Sequence, residues 1–143
     1  MRLFEATFKY LSGVAGVTSL IGSGTDCRMY ELYAEQGRTT KYPICVVEEM
    51  SEEMLHQFVN VPSMAKRGLS FDCFATSPAD AEALAQAIHT AIMRQEAAWT
   101  AAAGSFTVSA VLFASKNYDY FQDEETSAKV FSANVDYVVY HTI

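Results

Sequence analysis

Leu3, Phe4, Phe8 and Leu11 recur at helical spacing and make one apolar stripe over residues 2–12. Gly13 and Gly16 weaken the helix, while Val14, Val17, Leu20 and Ile21 continue the stripe for a turn or two. Gly22-Ser23-Gly24 then stops it. The period next falls to two. Cys27, Met29 and Glu31 alternate with Arg28, Tyr30 and Leu32, which predicts a strand over 27–33 and a polar loop over 34–41. Residues 43–49 predict a second strand. Ile44, Cys45, Val46 and Val47 are apolar on both faces, so this strand is expected to be central and covered on both sides. Pro43 fits its first position. A third strand is predicted over 66–75, with Leu69, Phe71, Cys73 and Ala75 on one face and Ser70 and Asp72 on the other.

The next segment has the sharpest boundary. Ser77 is an N-cap, Pro78 suits the first helical position, and Asp80 stands three residues after the cap. Ala81, Leu84, Ala85, Ile88, Ala91 and Ile92 form one stripe, which predicts a helix over 78–95. The alanines of 96–103 favour extending it, and Gly104 stops it. A fourth strand follows over 106–115, then a polar, acidic connection over 117–127. The last strand, 129–141, sets Phe131, Ala133, Val135, Tyr137 and Val139 against Ser132, Asn134 and Asp136. Val138 and Tyr140 join the second face near its end. Such alternation gives one buried and one wet face, as in an antiparallel strand. These elements predict an α+β fold in a single domain, 1–143. Its sheet is mixed and mostly antiparallel, with one main helix packed on it and an N-terminal helical segment.

Residues 50–67 show no clean period. Met50, Met54, Leu55, Phe58 and Met64 mix with Glu52, Glu53, His56 and Asn60, and Pro62-Ser63 break the run. One reading is a satellite core beneath a long loop. The other is a docking element. Met50, Met54, Phe58 and Met64 would adapt to a partner surface, and Lys66 and Arg67 would join the carboxylates in a polar rim. Long connections in compact domains tend to be functional or mobile.

The chain has 143 residues and a net charge of −7, one domain by size. An acidic chain lacks the basic footprint of a protein that grips phosphates. Cys27, Cys45 and Cys73 are odd in number and lack metal spacing, so they read as reduced, buried small hydrophobes. That suits a cytoplasmic folding compartment. Glu5 and Lys9 interrupt the N-terminal apolar segment, which argues against a signal peptide, and no run reaches membrane-spanning length. His56, His89 and His141 share no zinc spacing and read as solvated surface histidines. Glu48-Glu49, Glu52-Glu53 and Asp123-Glu124-Glu125 lack a calcium-loop pattern and read as solvated charges. The glycines form no phosphate cradle. Trp99, among alanines, reads as a packing anchor at the helix end. No catalytic, cofactor-binding or metal-ligating set is expected.

The order of motifs resembles a known family. Arg28-x-Tyr30 and Tyr42-Pro43 precede the apolar strand, and Leu69 to Ala75 enters the Ser77-Pro78-Ala79-Asp80-Ala81-Glu82-Ala83 helix. Asp136-Tyr137-Val138-Val139-Tyr140 closes the chain. This arrangement is similar to the phage tail-completion and tail-terminator (head–tail joining) family over nearly the whole length. The chain departs from it at Glu35-Gln36, where the family usually has a proline before the glutamine, and in the long 50–67 excursion. The resemblance implies a non-enzymatic virion protein at the head-proximal end of the tail, assembled in the host cytoplasm. Its partners would be further copies of itself in a ring, often a hexamer, the tail-tube protein, and the head connector, adaptor or stopper. DNA would pass through the ring without sequence-specific binding, and no membrane is involved. Carboxylates lining that channel would keep DNA off its wall. In that setting Met50, Met54, Phe58, Met64, Lys66 and Arg67 would face a neighbouring subunit or the tail tube. A reading of a different class is a small cytoplasmic α+β enzyme or ligand-binding domain with an unrecognised site.

Overall fold

The computed structural model describes residues 2–32, 42–56, 62–104, 107–122 and 129–142; of 25, 51–56, 62–63 and 121 it describes the backbone alone. Its elements run in chain order as α1 (Leu3–Leu11), α2 (Ala15–Ile21), a short turn of 3₁₀ helix (Gly24–Asp26), β1 (Met29–Glu31), β2 (Ile44–His56), β3 (Pro62–Ala75), α3 (Pro78–Ile92), α4 (Glu96–Ala103), β4 (Val108–Gln122) and β5 (Lys129–Thr142). The strands form one sheet in the order β1-β2-β3-β5-β4. β1 lies parallel to β2, and every other pairing is antiparallel. The fold is α+β with a mixed, mostly antiparallel sheet.

The four described α-helices lie on one side of the sheet, α2 packed against α3. α3 lies over β3 and β5, α1 reaches β2, and α4 reaches β4. The helix-facing residues of the strands are the core: Cys45 and Val47 on β2, Leu69, Phe71 and Cys73 on β3, Ala133, Val135, Tyr137 and Val139 on β5. Against them pack Ala81, Leu84, Ala85, Ile88, Ala91 and Ile92, the stripe read from α3. The Ser77 side chain accepts from the Asp80 amide, with Pro78 at the first helical position. Trp99 is fully buried and stacks on Tyr10 at 6.1 Å between centroids, which ties α4 to α1.

Four boundaries differ from the sequence reading. The N-terminal stripe is two helices, broken at Ser12 to Val14. The main helix stops at Ile92 because Arg94 takes φ 62°, a left-handed turn that no helix continues through. Residues 96–103 are therefore a separate helix, ended by Gly104 in the left-handed conformation that glycine adopts without strain. β2 extends to His56 and β3 begins at Pro62, so the two pair as one long hairpin over the described part of the aperiodic stretch. β4 runs on to Gln122, through half of the expected acidic connection.

Candidate functional site

The distal half of the β2–β3 hairpin carries the sequence-predicted interface. β1 pairs with β2 only as far as Val47, whereas the β2–β3 pairing continues to His56 and Pro62. A bulge lies between Glu49 and Glu52. An extra residue there shifts the phase of alternation, which is why residues 50–56 show no period in sequence. Met50 is exposed and rests on Gly68, where an added Cβ would stand 2.9 Å from Met50 Cβ. Arg67 donates to Glu49 across the strands at 2.8 Å, with both side chains largely buried. Met64 is half-buried, level with Leu55 and Thr142. Lys66 is level with Glu53 and Tyr140, and Met54 with Ala65. Phe58 lies outside the described residues. The fold thus brings Met50, Met64, Lys66 and Arg67 onto one hairpin. Arg67 anchors its base.

A second exposed region escaped the sequence reading. β4 is an edge strand, hydrogen-bonded to β5 on one side. Its register sets Phe113, Lys116, Tyr118 and Tyr120 opposite Tyr137, Val135, Ala133 and Phe131 of β5, on the helix-bearing face. Phe113, Tyr118 and Tyr120 remain exposed, Tyr118 to 65%. Tyr120 leans on Phe131 at 5.2 Å. The Tyr118 hydroxyl donates to Glu82 at 2.6 Å, and Lys116 forms an ion pair with the same carboxylate. Those two donors, Lys116 first, hold the Glu82 carboxyl below its ordinary range. The signal was present in sequence: Lys116, Tyr118 and Tyr120 alternate with Asn117 and Asp119. Polarity hid it.

His89 stands between α3 and this strand. Its Nδ1 lies 2.9 Å from the Tyr137 hydroxyl, and its ring meets Phe113 edge-on at 5.4 Å. Burial pushes the Tyr137 phenol well above its ordinary range, so it stays protonated. His89 is therefore half-buried and bonded, not a solvated histidine. His141 is buried too, with Nδ1 2.7 Å from the Thr142 carbonyl. A cavity of about 390 Å³ opens between α3 and β4, lined chiefly by Gln86, His89, Met93, Phe113 and Lys116. A second, of about 610 Å³, lies between α2 and α3. Tyr10, its one titratable lining residue, gives its hydroxyl to the Ala91 carbonyl at 2.6 Å.

No described helix covers the opposite face of the sheet. Along its centre the Asn134 amide donates to Ser70 at 2.8 Å and to Asp72 at 2.7 Å. Ser115 donates to Asp136 at 2.9 Å. These bonds fix the middle strands in register on a polar, acidic surface. Among the described residues no group of three His, Cys, Asp or Glu side chains could hold a metal ion. Cys27, Cys45 and Cys73 are free and buried, Cys45 and Cys73 facing each other across β2 and β3. Burial raises the Cys45 thiol far above its ordinary value, which keeps it from being a nucleophile. Among the described residues no helix is long and apolar enough to cross a membrane.

No family model matches the chain, and no curated protein matches it. Solved structures do. A chain from the virion of a native gene transfer agent particle superposes with a TM-score of 0.64 at 14% identity. The match covers 99% of this chain and 95% of that one, so the two share a fold over nearly their whole length.

Proposed function

We propose that this chain is a structural protein of a phage-like particle. In this reading it forms an oligomeric ring at the head-proximal end of the tail, where it caps the tail tube and docks it to the head connector. The observation that carries the reading is the end-to-end likeness to a gene transfer agent virion chain. The motif order from Arg28-x-Tyr30 to Tyr140 supports the finer placement. A tail-completion protein needs no chemistry, only surfaces. The exposed apolar residues here lie on or beside the strands and on the hairpin. In the assembled particle the hairpin carrying Met50, Met64, Lys66 and Arg67 projects toward the tail tube or a neighbouring subunit. Repetition around the axis then adds several weak contacts into one stable junction.

Light scattering and electron microscopy of the purified protein test the reading. A hexamer of a 15.8 kDa chain weighs about 95 kDa and shows a central hole. Deletion of the gene should leave heads and unjoined or overlong tails. Normal particles after deletion overturn the assignment.

A further inference from the structure

The seven exposed large hydrophobics among the described residues fall into two groups, one at each side of the sheet. Leu112, Phe113, Tyr118 and Tyr120 lie on β4. Tyr30, Leu32 and Met50 lie on or beside β1 and on β2 just beyond its reach. We infer that these are the two halves of one repeated contact: the β4 edge of one copy receives the β1–β2 edge of a second copy, head to tail. The inference rests on the ring reading and specifies its subunit interface.

Symmetry favours this pairing. A ring needs a heterologous contact between two different patches, whereas β4 against β4 closes as a dimer. Charge favours it as well. β4 carries two charged residues in 15, Lys116 and Asp119, and Lys116 is neutralised by Glu82. At the other side Glu31 receives two bonds from Arg2, at 2.6 and 2.8 Å, and Glu49 is held by Arg67. Lys116, Glu31 and Glu49 thus enter the contact already paired within their own subunit, which lowers the repulsion between copies with a net charge of −7 and leaves Asp119 on β4 and the exposed Glu48 on β2. Fifteen extended residues span roughly 50 Å, and a rim about 10 Å deep along them offers at most roughly 500 Å² per copy, met by β1 and by β2 beyond Val47. That upper bound reaches the roughly 1,000 Å² in total expected of a specific interface. Beyond two charges and the register shifts at Val108/Ala110 and Phe113/Ser115, an edge this long with three exposed aromatics has little to protect it from pairing. Leu32 supplies the anchor. It is 63% exposed with φ 69°, a backbone region in which an exposed leucine gains nothing from the monomer. The cavity beside Phe113 and Met93 has the size and apolarity to take it.

Two variants test this. Leu112→Arg with Tyr118→Arg blocks one edge, and Leu32→Asp blocks the other; Asp tolerates the left-handed backbone better than Leu. Tyr120→Lys is a milder block of β4 should the double variant melt early. Native mass spectrometry should find each variant at 15.8 kDa, and an equal mixture should give a dimer and nothing larger. Only one intact pair of edges then remains. If both variants assemble like the wild type, the interface is wrong and the ring reading stands. A wild-type dimer broken by the β4 variant alone shows β4 pairing with itself, which also overturns the inference. A wild-type chain that stays monomeric at high concentration removes the ring reading and this contact together.

Discussion

Ile88 has no exposed surface, and its place in the α3 stripe was read correctly from spacing alone. Ile88→Asp buries a charge without a partner and should cost more than about 4 kcal/mol, enough to unfold much of the population. Circular dichroism and thermal melting check this, and a soluble variant with unchanged melting overturns the packing. Glu82 and Lys116 test the electrostatics. The depressed Glu82 carboxyl contributes stability above its ordinary value of 4.5, and this is lost as pH falls through the folded value. Lys116 is raised, so its share is present below its ordinary value of 10.5 and lost as pH rises through the folded one. Both groups are partly solvated, so a double-mutant cycle of Glu82→Gln and Lys116→Met should give under about 1 kcal/mol at neutral pH. A coupling that persists at pH 2 would show that the ion pair is not its source. His89 was misread from its place on the helix's polar side. Its partners, Tyr137 and Phe113, lie 48 and 24 positions away, and no local pattern announces them.

At the scale of elements, legibility followed regularity. The capped α3 and β5, which alternates from Ala133 onward, were visible because one period governs each. β4 was cut short because Asn117, Asp119 and Gln122 resemble a loop, although the aromatics between them keep the two-residue period. The hairpin was illegible for a different reason. Its bulge between Glu49 and Glu52 breaks the phase, so cross-strand pairing and not pattern decides its structure. Gly68 is the tightest point there. Gly68→Ala sets a Cβ against Met50 Cβ and should lower stability by roughly 1–3 kcal/mol, read from chemical denaturation. Met50→Gly in the same background should recover part of the loss, since it removes the clashing atoms. If Met50→Gly recovers nothing, the cost arises elsewhere in the strand.

For the whole molecule, the fold class and the single sheet were within reach of the sequence, whereas the lateral surfaces were not. Side-chain pattern reports which face is buried. It does not report which strand ends up at the rim. The three thiols offer a simple check on the core: a water-soluble thiol reagent should label none of them within minutes in the native protein and all three in denaturant. Rapid native labelling of Cys45 or Cys73 would mean that the β2–β3 junction opens. The one-sided hydrogen bonding of β4 has a further consequence, in time instead of space. Along an antiparallel rim, successive amides point alternately inward to β5 and outward to water. In a lone subunit, deuterium should enter the regularly paired run of β4, Ser115 to Gln122, at every second amide while β3, paired on both sides, exchanges last. Where a neighbour's strand pairs with the rim, that alternation should vanish and the paired amides of β4 should exchange as slowly as the interior. Assembly would then be recorded in the main chain itself, amide by amide, even with every side chain unchanged.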